Sequence, residues 1–214
     1  NRTGATNASL CQSEWGLSIL VEHLNHQVLL DTGATDLWWK NALRMKLDLQ
    51  QIDCLVLSHR HWDHVGGILY HQFQERKALV SHPGIIDKVK PEELAVINSD
   101  FEPGFYKEPV EILPNFYFLG EIRRVTAFEP GTYKDEPMWD DSALAVKTPK
   151  GVVVITGCSH SGICNICEQA MRVTGQNLYA VIGGFHLTQK DEQQVEATMI
   201  WFRSQGDVRL YPMH

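Results

Sequence analysis

The chain has 214 residues, 43% of them hydrophobic and 21% charged, enough apolar sequence to bury a sizeable core without staples. A formal net charge of -7 with no dense Lys/Arg block argues against a general affinity for phosphate backbones, so no nucleic-acid partner is expected. No apolar run approaches the roughly 18 residues of a membrane helix, and residues 1–30 lack a signal-peptide layout, so a cytoplasmic protein with no membrane partner is expected.

The glycosylation-type triplets Asn1-Arg2-Thr3 and Asn7-Ala8-Ser9 matter only in a secreted chain. Cys11, Cys54, Cys158, Cys164 and Cys167 are odd in number and too sparse for a disulfide framework, so reduced thiols are expected. Ten histidines are the informative feature, because imidazole is the commonest metal ligand and a proton carrier near neutral pH.

In chain order, strand-length apolar segments fall at Leu17–Val21, Val28–Leu30, Cys54–Leu57, Phe116–Leu119, Ala143–Val146, Val152–Ile155, Leu178–Ile182 and Val208–Tyr211. Helical spacing occurs over Asp36–Lys46, from Val65 to about Arg76, over Gly162–Val173, and over Asp191–Ser204 ending at Gly206. Early hairpins followed by alternating strands and helices predict an α/β layered domain. The proline-rich stretch from Lys88 to Pro137 reads as an irregular, variable insertion over a single domain spanning 1–214.

The strongest motif is Ser58-His59-Arg60-His61-Trp62-Asp63-His64-Val65-Gly66-Gly67, directly after Cys54–Leu57. On extended backbone His59 and His61 project the same way, and a turn then re-aims Asp63 and His64 towards a second point. The run therefore supplies two adjacent metal positions with two ligands each, the remaining ligands coming from distant loops. Gly66 and Gly67 allow close backbone approach just beyond it.

This motif resembles the metal motif of the metallo-β-lactamase superfamily. Asp31-Thr32-Gly33 and Thr156-Gly157-Cys158 extend the resemblance. The blocks Glu14–Ser18, Gly157–Ile163, Gly183–Leu187 and Tyr211–His214 resemble the subgroup of dihydropterin-ribofuranosylaminobenzene-phosphate synthase-like proteins. The resemblance implies a four-layer αββα sandwich with two divalent ions, zinc in first place and Mn²⁺ or Fe²⁺ as alternatives. It places His59 and His61 on one metal with His160, and Asp63 and His64 on the other with His186.

Cys158, standing where many members carry an acidic bridge, is either a zinc ligand or a buried small hydrophobe. His214 is expected at an anionic substrate or as proton donor, and Asp63 as ligand and orienter of the nucleophile. Asp31 is expected to hold a ligand histidine or the metal loop by hydrogen bonds. Its single Asp-Thr-Gly does not supply the paired carboxylates of an aspartic protease. Asp141 resembles a recurrent subgroup position facing the cleft, or is an exposed strand-start carboxylate. His82 reads as a surface residue. Cys164 and Cys167 read as core fillers one helical turn apart, and Trp38-Trp39 as an amphipathic helix burying one ring.

The expected activity is dinuclear metal-dependent hydrolysis of a small anionic, phosphoester-type substrate by a metal-bound hydroxide. The alternatives are a synthase or transferase on a phosphorylated pterin precursor and a non-catalytic metal-binding protein. The histidine-rich set with Cys158 argues against a carboxylate-rich iron redox site.

Overall fold

The computed structural model describes residues 11–134, 136–187 and 192–214. The two glycosylation-type triplets and Asp191 lie outside the described residues. The described residues fall into two compact units, one running to Tyr106 and including His214, the other Lys107–Met213. None of their helices is long and apolar enough to cross a membrane.

The first unit is built on a five-stranded sheet in sequential order: β1 (Ile19–His23), β2 (His26–Leu30), β3 (Cys54–Val56), β4 (Lys77–Ser81) and β5 (Phe101–Phe105). β1 and β2 form an antiparallel hairpin with Ile19 opposite Leu30. Its two turn residues, Leu24 and Asn25, both take positive φ, the conformation that matches the twist of paired strands. The other neighbours run parallel, and Leu29, Leu55 and Leu79 are buried with Trp38, Trp39, Leu57, Ile97 and Phe101 in one core.

Helix α1 (Leu37–Arg44) buries both Trp38 and Trp39, where one ring was expected. Trp38 combines burial with a hydrogen bond from Nε1 to the Gly67 carbonyl at 2.9 Å, so its single polar atom is satisfied inside the core. The expected helix from Val65 to about Arg76 does not form. A four-residue helix α2 (Trp62–Val65) runs into a 3₁₀ turn over Gly66–Tyr70. There the two glycines bring backbone against backbone: a Cβ on Gly67 would stand 1.9 Å from the Thr32 carbonyl oxygen.

The stretch 88–137, read as an insertion, holds helix α3 (Pro91–Asp100), strand β5, and strands β6 (Val110–Leu113), β7 (Phe116–Phe118), β8 (Thr132–Tyr133) and β9 (Glu136–Pro137). Two of its prolines sit where their missing N–H costs nothing. Pro91 opens α3, and Pro103 lies in the edge strand β5.

The second unit carries a six-stranded sheet in the order β13-β12-β11-β10-β7-β6, with β10 (Ala143–Thr148), β11 (Gly151–Thr156), β12 (Leu178–Gly183) and β13 (Arg209–Pro212). β6, β7, β10 and β11 are antiparallel neighbours, whereas β11, β12 and β13 run parallel. Parallel neighbours need crossovers, supplied by α4 (Ile163–Thr174) and α5 (Glu192–Ser204). α4 buries Ile163, Cys164, Ile166, Cys167 and Ala170 with Val152, Val154 and Val181 from the sheet. Cys164 and Cys167 are therefore core fillers, and burial pushes both thiols far above their ordinary range.

Candidate metal centre

In the first unit the donors stand on the segment that leaves β3. Its position is fixed by Asp31, at the end of β2. Asp31 is fully buried with φ +59°, and its N–H donates to the Val56 carbonyl across the strand ends at 2.8 Å. Its Oδ1 accepts the Ser58 N–H at 2.7 Å, and its Oδ2 accepts both the Ser58 hydroxyl and Nδ1–H of His64, each at 2.7 Å.

With its proton committed to Asp31, the Ser58 hydroxyl accepts Nδ1–H of His59 at 2.9 Å. One carboxylate thus fixes the tautomer of two imidazoles, directly for His64 and through Ser58 for His59. Both are left with an Nε2 lone pair. Asp31 thus hydrogen-bonds His64, one of the histidines expected as ligands.

Those lone pairs point at other donors. His59 Nε2 lies 3.1 Å from His61 Nδ1, and His64 Nε2 lies 3.1 Å from His214 Nε2. Asp63 Oδ2 lies 3.3 Å from His214 Nε2 and 3.8 Å from His64 Nε2. Two nitrogens bound tetrahedrally at zinc distances stand about 3.3 Å apart, so these separations fit donors that share an ion. The first unit therefore offers a pair, His59 and His61, and a triplet, Asp63, His64 and His214.

Burial raises the Asp63 pKa, but the hydrogen bond from His214 and the charges of His64 and His214 outweigh it and hold the carboxyl at about 2. Asp63 is consequently ionised at neutral pH, as a metal ligand must be. The backbone here is pinned by close approach. Leu17 N–H donates to the Asp63 carbonyl at 3.2 Å, and a Cβ on Gly16 would lie 2.8 Å from that oxygen.

In the second unit the loop between β11 and α4 carries Cys158 and His160. Both are buried, with Sγ and a ring nitrogen within 4.8 Å of each other. Ser159, at φ +64°, donates to the Gly184 carbonyl, and Gly184 N–H donates to Gly157 O at 2.7 Å, which ties the loop to the end of β12. Asp141 Oδ2 accepts the Ser161 N–H at 2.8 Å. Asp141 is fully buried rather than an exposed strand-start residue. Burial pushes its pKa up to about 6, against the lowering effect of the Ser161 hydrogen bonds.

His214, expected at the substrate, has a side chain only 8% exposed and stands beside Asp63 and His64. His186, expected as a metal ligand, is an exposed residue at φ +47° whose ring packs 4.2 Å from that of His160, with Tyr133 beside both. The signal that could have found His214 is its place directly beyond the apolar strand β13, since Asp31, His59 and Cys158 also follow strand ends. His82 is buried, not superficial, and its Nδ1 accepts the Gly84 N–H at 3.0 Å, so it caps a turn.

The sequence profile of the Metallo-beta-lactamase superfamily matches residues 16–164, and the chain belongs to that superfamily. It is 28% identical to the 7,8-dihydropterin-6-methyl-4-(β-D-ribofuranosyl)-aminobenzene-5'-phosphate synthase of Methanocaldococcus jannaschii, over 94% of this chain and 81% of the relative. The crystal structure of Tm1679, a metal-dependent hydrolase of the β-lactamase superfamily, matches at a TM-score of 0.82 and 29% identity, over 98% of this chain and 84% of that one. Zn²⁺-bound PqqB from Methylobacterium extorquens shares the fold at a TM-score of 0.51 and 17% identity, over 78% of this chain and 59% of that one.

Proposed function

We propose that this chain is a dinuclear, divalent-metal-dependent hydrolase acting on a small anionic substrate of the phosphoester type. The observation that carries this reading is the convergence of Asp63 Oδ2, His64 Nε2 and His214 Nε2 within 3.1 to 3.8 Å, beside a second pair of ring nitrogens 3.1 Å apart. The donors are His59 and His61 for one ion and Asp63, His64 and His214 for the other, with Cys158 and His160 as the donors of the second unit. Bound divalent ions supply Lewis acidity and bring the pKa of water to about 7.

The chain's own residues do the rest. Asp31 and Ser58 keep two imidazoles in the metal-binding tautomer without reorganisation. Asp63, ionised and buried, is both a donor and the carboxylate placed to orient a nucleophile.

The printed activity of the Methanocaldococcus jannaschii relative favours a second reading, synthesis on a phosphorylated pterin precursor. Both readings need the same metals and an anionic substrate, and turnover separates them. Elemental analysis of protein purified without chelator is expected to find about two equivalents of zinc, manganese or iron, falling in His61→Ala. Release of nitrophenol from generic nitrophenyl phosphoesters, lost in the same variant, supports the hydrolase. Two bound metals with no such release favour the synthase. No metal, before or after reconstitution, overturns both and leaves a non-catalytic protein.

A further inference from the structure

Within the second unit, α4 meets the segment 119–126 that follows β7. Asn165, Glu168, Gln169 and Arg172 stand at helical spacing on one side of α4, and the two amides among them hold the segment down. Gln169 Nε2 donates to the Leu119 and Glu121 carbonyls at 2.7 and 2.9 Å, and its Oε1 accepts the Arg123 N–H at 3.1 Å. Asn165 Oδ1 accepts the Val125 and Thr126 N–H groups, both at 2.8 Å. Helix and segment together enclose a cavity of about 310 Å³ lined by Arg123, Val125, Asn165, Glu168, Gln169 and Arg172, a volume at the small end of small-molecule sites.

The floor of this cavity is set in advance. Asn165 and Gln169 are buried, and Asn165 Nδ2 donates to the Ser161 carbonyl at 2.9 Å, so both amides spend their hydrogen bonds on the protein. The charged walls are different. Arg123 and Arg172 are exposed, and among the described residues neither guanidinium has an ion pair or a hydrogen bond, in a chain whose net charge is -7. The adjacent Arg124 is occupied elsewhere, with the Gly131 and Met138 carbonyls and the Trp139 ring. Glu168, the acidic residue of the lining, accepts Nε1–H of Trp201 at 3.2 Å. Two arginines against one glutamate leave the lining positive.

We propose that this cavity is a binding site for a short-chain dicarboxylate. A guanidinium pairs with a carboxylate through a planar fork. One arginine stands on the segment and the other on the helix, so two acid groups joined by a short carbon frame match them, the frame lying against Val125, which is 60% exposed. A dianion also balances the two arginines. The proposal is independent of the metal-centre reading.

The test is an NMR titration of ¹⁵N-labelled full chain, as purified, with glutarate and with pentanoate, which has the same carbon frame and one acid group. Glutarate is expected to shift the Val125 and Arg172 amides and to bind about tenfold more tightly than pentanoate. Arg123→Gln/Arg172→Gln brings that ratio close to one with an unchanged urea midpoint, since both side chains are exposed and unpaired. His61→Ala, altered at the metal centre, keeps the wild-type glutarate affinity. A wild-type ratio near one, or a ratio that the glutamine double variant leaves intact, overturns the proposal. Glutarate binding lost in His61→Ala also overturns it, because the acid then sits at the metal centre.

Discussion

Nδ1 of His64 lies 2.7 Å from Oδ2 of Asp31, with both side chains fully buried. The same carboxylate oxygen accepts the Ser58 hydroxyl hydrogen bond, so a single atom orients two imidazoles, one beside His61 and the other beside His214. Asp31→Asn keeps the shape of the side chain and removes its charge and one acceptor. It is expected to weaken zinc binding by about 10–100-fold, the usual cost of losing a carboxylate behind a ligand histidine. Competition with a chromogenic chelator measures this. Unchanged affinity would show that Asp31 serves the fold alone.

The proximity of His214 to His64 and Asp63 gives a second prediction. His214→Ala removes a donor 3.1 Å from His64 Nε2 and 3.3 Å from Asp63 Oδ2, so bound metal is expected to fall from about two equivalents to about one. His186→Ala is expected to keep both ions. Elemental analysis of the two variants side by side decides, and metal loss in His186→Ala with retention in His214→Ala would restore the order implied by resemblance.

The parts legible in the sequence were those whose pattern is local. Apolar runs such as Val152–Ile155 and Leu178–Ile182 mark largely buried strands, and the His59–His64 spacing marks the metal motif, because each is set by neighbours within a few residues. What escaped was set by distant backbone. The helical spacing after Val65 is overridden because Gly66 and Gly67 pack directly on the carbonyls of Ala34 and Thr32, which no periodicity reports. Strand β5 hid behind Pro103, a residue that reads as a breaker until the strand is known to be an edge. His214 was read as a substrate contact or proton donor because the groups beside it, Asp63 and His64, lie some 150 positions away in sequence.

Glu129 yields a prediction about stability rather than chemistry. Its carboxylate is 1% exposed and accepts the N–H groups of Cys164 and Asn165, both at 2.9 Å, at the start of α4, as well as the Thr126 hydroxyl. A negative group there satisfies orphan donors and faces the positive end of the helix. Glu129→Ala strands those donors and is expected to cost about 2–4 kcal/mol, read from the shift of the urea midpoint. A shift equivalent to less than about 0.5 kcal/mol would mean that water or a rearranged loop replaces the cap.

Asp141 supplies the pH dependence. Its carboxyl is raised from 3.8 to about 6, chiefly by burial, with Asp140 adding to the rise and the Ser161 hydrogen bonds and Arg124 opposing it. Between those values the folded state holds a proton that the unfolded state has released, so this group's contribution to stability falls as pH rises from about 4 to about 6. Above about 6 the penalty is complete, at about 3 kcal/mol from roughly 1.36 kcal/mol per unit. Asp141→Asn keeps an acceptor for the Ser161 N–H and removes the titration. The stability of the variant relative to wild type is therefore expected to climb by up to that amount between pH 4 and pH 6 and to stay level above. Urea midpoints of both proteins in metal-free buffers across that range provide the difference curve, in which shared histidine titrations cancel. A curve that falls over the same range would mean that the ionised Asp141 carboxylate is held by its partners more strongly than burial opposes it.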